Sequence, residues 1–122
     1  MDCPLSKNTM ITLDEAKAYL RVDSDFEDSL IASLINASES ICADVARLSK
    51  EEWDAVSGLP SGSLIIRNEE KSTNEIVSMR EILRIGVLYA LSYLYEHREE
   101  ADHHDLVLTL RNLLFSVREG VV

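Results

Sequence analysis

The 122 residues carry 12 Lys and Arg against 22 Asp and Glu, a net charge of −10, with 46% hydrophobic and 28% charged positions. A chain of that length and balance packs one core, which excludes a two-domain enzyme on length and a disordered tail on composition. The sign of the charge excludes the phosphate-gripping classes: residues 1–61 hold 5 basic and 12 acidic residues and residues 62–122 hold 7 and 10, whereas affinity for nucleic acid or an anionic membrane needs clustered cations.

Residues 1–11 show no period and read as a loose arm. Their Asp2, Pro4, Lys7 and Asn8 break any apolar run, so no secretory leader is expected and the protein is expected to stay inside a cell. Thr12-Leu13-Asp14-Glu15 fits a capping box and opens a short helix to about Leu20. Ser24 and Glu27 have the spacing of a second capping box, preceding a helix on which Leu30, Ile31, Leu34, Ile35, Ser38, Ile41, Cys42, Val45 and Leu48 recur at three- and four-residue steps. That helix is predicted to run about 22 residues, or about 33 Å.

Ser49-Lys50-Glu51-Glu52 is a third capping box, opening a short helix through Trp53 to Val56 that Gly58 and Pro60 end. Trp53 lies among charges, so an exposed interface role is expected for it. Residues 58–75 read as a long flexible loop, because Leu64-Ile65-Ile66, the one strand-like run, has no visible partner for its amides. Asn74 is the expected cap of a second long helix, from Glu75 to His97. Its run from Ile82 to Tyr95 is apolar in nearly every direction yet shorter than the roughly 20 residues of a membrane span, which predicts a buried central helix with Tyr89, Tyr93 and Tyr95 in the core. A last helix starts near Asp102 with Leu106, Val107, Leu110, Leu113, Leu114 and Val117 on one stripe, and Gly120 stops it. The fold class is therefore all-α: a small helical bundle, one domain over 1–122, with two long helices, short satellite helices and one long loop.

Catalytic and metal motifs do not assemble. Asp23-Ser24-Asp25-Phe26-Glu27-Asp28 begins like a calcium loop, but its sixth position is Asp28 in place of Gly and its twelfth is Leu34 in place of a bidentate Glu. His97, His103 and His104 gather among acids but straddle a predicted helix break, so a solvated turn is favoured over a metal site or metal-dependent enzyme. The chain has no nucleophile elbow and no glycine-rich phosphate loop. Cys3 and Cys42 read as free thiols. No cofactor and no catalytic residue is expected.

Ile11-Thr12-Leu13-Asp14-Glu15-Ala16-Lys17-Ala18-Tyr19-Leu20-Arg21-Val22-Asp23, then Phe26-Glu27-Asp28 and Leu30-Ile31-Ala32-Ser33-Leu34-Ile35, resembles the opening of the tailed-phage head-tail connector (adaptor) family. Ile82 to Leu94 followed by Tyr95-Glu96-His97-Arg98-Glu99 is similar to that family's apolar helix and its Tyr-Glu-Asn-Arg-Glu type ending, with His97 in place of Asn. Leu113, Leu114 and Arg118 resemble its closing segment, without the usual Pro. The likeness covers about half the chain and leaves out residues 49–75.

The resemblance implies a non-enzymatic subunit that joins copies of itself in a ring between the portal and a downstream neck or tail protein. It would sit in the virion neck, after a period in the host cytoplasm, with no direct contact to nucleic acid or membrane. An acidic wall around a channel would repel passing DNA. The expected interaction residues are Trp53, Leu64 and Ile65, for partner specificity, and Tyr95, Glu96, Arg98 and Glu99, which match the family motif. An acidic helical module that regulates a protein partner is the alternative.

Overall fold

A computed structural model describes residues 10–58, 63–66, 68–97, 104–115 and 117. Its elements in chain order are α1 (Leu13–Leu20), α2 (Asp28–Val45), α3 (Lys50–Ser57), β1 (Leu64–Ile66), β2 (Glu69–Lys71), α4 (Thr73–Glu96) and α5 (His104–Leu113). The protein is all-α apart from one small hairpin, as the periodicity predicts.

Of the four helices whose N-caps are among the described residues, three carry a capping box. Thr12 with Glu15, Ser49 with Glu52, and Ser72 with Glu75 each exchange hydroxyl and carboxylate bonds with the two opposing amides. The last of these corrects the expected Asn74 cap and starts α4 earlier. The Ser24–Glu27 box does not form, since Glu27 is itself the N-cap of α2 and makes no side-chain cap bond. Its carboxylate accepts the Tyr95 hydroxyl at 2.5 Å.

The second helix is also shorter than its apolar pattern. It ends at Val45 because Arg47 takes a left-handed conformation (φ 60°), with its N–H on Asp44 O and the Leu48 N–H on Ala43 O. This is a Schellman close, and Leu48 folds back as its apolar contact. Arg21 closes α1 in the same way, with bonds to Ala18 O and from Val22 to Lys17 O.

Within 58–75, residues Leu64–Ile66 do form a strand. Their partner is Glu69–Lys71, in antiparallel register Leu64↔Lys71, Ile65↔Glu70 and Ile66↔Glu69, across a turn with Asn68 at φ 65°. A run of Glu-Glu-Lys shows no apolar alternation, which is why the pairing is hidden in the sequence. Ile66 and the Lys71 stem are buried, and the Lys71 ammonium bonds Glu69 at 3.1 Å.

The core lies where α2 and α4 pack along each other, with α5 across them. Ile31, Ile35 and Cys42 from α2 meet Ile76, Leu83, Val87 and Leu91 from α4 and Leu106 and Leu110 from α5 in one buried cluster. At Gly86 a Cβ would stand 3.0 Å from a Leu114 methyl, so the glycine eases the approach of Leu114 to α4; the Cys42 sulfur, 3.5 Å from that Cβ position, would be in ordinary contact. Cys42 is a buried free thiol, pushed up to about 12 first by burial and then by the Glu39 charge. No described helix is long and apolar enough to cross a membrane.

Candidate interaction surfaces

The residues expected to form an arm at 10 and 11 are instead buried and tied down from two sides. Glu39, on α2, is a buried carboxylate that accepts the amide of Met10 at 2.6 Å and that of Ile11 at 3.4 Å, and also the Trp53 indole N–H. Burial pushes its carboxyl up and those three donors oppose the rise. From α4, Arg84 donates to Met10 O at 2.8 Å and to the Glu15 carboxylate at 2.7 Å, which holds Glu15 below its ordinary value.

Trp53 is thus a core residue with 7% of its surface exposed, contrary to the interface role expected from its charged neighbours. Trp53 and Val56 sit three apart on the inner side of α3, and the indole N–H gains a carboxylate partner by turning inward. Beside it, Asn36, Glu39, Asp44, Leu48, Lys50 and Asp54 line an open cleft of about 440 Å³ between α2 and α3. A second cleft of about 410 Å³ lies against α4, lined by Met10, Ser57, Arg80, Glu81 and Arg84, with Arg80 donating to Gly58 O at 2.9 Å.

The other expected contact residues are dispersed. Ile65 projects from the hairpin with 71% of its surface exposed, and Leu64 is half-buried beside it. Tyr95 is half-buried at the end of α4, while Glu96 is exposed. Arg98 and Glu99 lie outside the described residues, as do His103 and Arg118. His97 stacks on Tyr93 with ring centroids 4.2 Å apart and sets Nδ1 at 2.9 Å from Tyr93 O. Among the described residues no three His, Cys, Asp or Glu side chains gather to hold a metal.

Two exposed regions escaped the sequence reading. At the α1–α2 corner Phe26 is 96% exposed and Tyr19 50% exposed. The corner is braced: Lys17 bonds Asp25 at 2.9 Å and Asp28 at 2.8 Å, and Tyr95 holds Glu27. Those carboxylates, Asp28 foremost, raise the Lys17 ammonium above its ordinary value. On the outer side of α4, Ile85 (57%) and Tyr89 (37%) are exposed one turn apart, which corrects the placement of Tyr89 in the core. The one signal for Phe26 is its place in a run of acids, Asp23, Asp25, Glu27 and Asp28, whose charges favour solvent. Ile85 and Tyr89 carry no such signal, because a helix apolar on all sides does not say which side its neighbours cover.

The family model of the phage gp6-like head-tail connector proteins matches residues 10–120. The chain belongs to that family. No curated protein and no solved structure matches it. The matched span encloses residues 49–75, the segment that the quoted motifs leave out. Within this connector chain the Tyr95 and Glu27 motifs, 68 residues apart, are the two ends of one hydrogen bond. The family is a structural component of the virion, and its members work by contact with other head and tail proteins.

Proposed function

We propose that this chain is a non-enzymatic adaptor of the virion neck, several copies of which join in a ring between the portal and the next neck or tail component. The observation that carries the reading is the family match over residues 10–120. It is supported by apolar side chains that the fold leaves outside, Phe26, Ile65, Ile85 and Phe115 among them, since interfaces draw on such residues. The net charge of −10 suits a wall facing a DNA channel, which repels the duplex without binding it. Ile65 with Leu64 at the hairpin, and Glu96 with Arg98 and Glu99 after α4, are the positions assigned to neighbouring proteins. Tyr95 and Trp53 act from behind as supports. Before assembly the subunit resides in the host cytoplasm.

Light scattering on size-exclusion fractions tests this, for the chain alone and mixed with its portal, alongside mass spectrometry of purified necks. Several copies per neck and co-elution with portal are expected. A monomer indifferent to portal and missing from necks would remove the adaptor reading.

A further inference from the structure

A ring needs two different surfaces on each subunit, because head-to-tail contacts are heterologous. Resting on the ring reading, we propose that the α1–α2 corner of one copy docks on the outer side of the α4–α5 pair of the next copy, with Phe26 as the inserted side chain.

The corner is built as a donor surface. Phe26 and Tyr19 stand in solvent beside Arg21, and aromatic and arginine side chains are the types that dominate binding energy at interfaces. Arg21 holds a left-handed backbone at φ 60°, where glycine would be less strained, and its side chain is exposed. The Lys17 bonds to Asp25 and Asp28 and the Tyr95 bond to Glu27 fix the loop on both flanks of Phe26. A loop already held in shape loses little entropy on docking.

The acceptor surface has the complementary chemistry. Ile85 and Tyr89 are exposed on α4, and α5 packs Leu114 against Gly86 at the same level, leaving Phe115 and Leu113 in solvent. Arg111, one turn before Leu114 on α5, is exposed. The exposed apolar side chains of α4 and the end of α5 offer a phenyl ring an apolar seat, and the Arg111 guanidinium of α5 complements the exposed Asp23 and Asp25 carboxylates that flank Phe26. Exposed Glu81, one turn before Ile85, sets the acidic limit of the patch, so the corner seats toward Tyr89 and Arg111.

The test places the photocrosslinker p-benzoylphenylalanine at position 26 in the full chain, assembled into particles. The expected product is a covalent dimer of this chain whose cross-linked peptide comes from residues 81–91 or 104–117. A cross-link to portal or to any other protein, to another face of this chain, or no dimer at all would overturn the interface. If the same necks still hold several copies, the ring reading survives that failure; if they do not, both fall.

Phe26→Ser and Ile85→Glu provide a second arm. Each alone should lower incorporation into necks at least tenfold with an unchanged thermal melt, because both side chains are exposed. Co-expressed, the two variants retain one intact contact, between the wild-type corner of one and the wild-type patch of the other, and should give heterodimers without rings. Wild-type levels of incorporation for either single variant would overturn the proposal.

Discussion

The middle of α4 and its two ends are held by different physics. At the middle, Gly86 admits Leu114 to close range and the surrounding contacts are apolar. At the ends the bonds are polar: the Ser72–Glu75 capping box at the start and the Tyr95–Glu27 bond at the finish. The Glu39 junction belongs to the second kind, with a buried carboxylate gathering amides from residues 10 and 11 and the indole of α3. Apolar packing supplies the depth of the fold and is tolerant of direction. Polar bonds are directional, and here they decide where the N-terminal segment, α1 and α3 sit on the α2–α4 pair.

Four substitutions and one pH series separate the two kinds of support. The largest effect is expected in the middle: Leu91→Ala, at a fully buried α4 position, should cost about 2–5 kcal/mol in urea unfolding through lost transfer energy and a cavity. Glu39→Ala should follow. It strands the Met10 amide and the Trp53 indole, at about 1–3 kcal/mol for each donor left unpaired, and proteolysis at the N-terminal segment should rise with it.

Glu39→Gln isolates the charge. Because burial raises the Glu39 carboxyl, the native state holds that proton more tightly than the unfolded chain, so its contribution to stability is full below the unfolded value and is lost as pH rises through the native one. The stability of wild type minus E39Q should therefore fall over the window that opens at the ordinary glutamate value, about pH 4, and runs upward in pH, measured by chemical denaturation at each pH. A difference that rises over that window would place the carboxyl in the opposite sense. Glu15 contributes the other way, being lowered by Arg84: its contribution is present above the ordinary value and lost as pH falls.

Tyr95→Phe removes one bond to Glu27 at the end of α4 and should cost about 1–2 kcal/mol, with faster hydrogen exchange at the start of α2. The smallest effect has the opposite sign. Arg47→Gly relieves a left-handed non-glycine residue and should stabilise the chain by about 1 kcal/mol at most.

Much of the fold was legible. Thr12, Ser49 and their partner glutamates announce two helix starts at the right residues, because a capping box is a local exchange between groups three positions apart. Of the last predicted stripe, Leu106, Leu110, Leu114 and Val117 are buried as their spacing predicts and Val107 is half-buried, while Leu113 is exposed. Less was legible wherever a group found its partner far along the chain. Glu27 bonds Tyr95, 68 residues away, and Trp53 turns inward toward Glu39. Leu64–Ile66 becomes a strand because Glu69–Lys71, a segment with no apolar pattern, lies beside it.

The sequence by itself determined the helical class, the starts of α1 and α3 and the resemblance to the connectors, since each of these rests on neighbours within one or two turns. Only the tertiary structure decided which face of the all-apolar α4 stays outside, that Met10 and Ile11 belong to the core, and that Phe26 stands in solvent on a braced corner. Those outcomes depend on which groups meet across tens of residues. That is fixed by the competition of donors, acceptors and apolar surface for the same few partners, and no local pattern records its result.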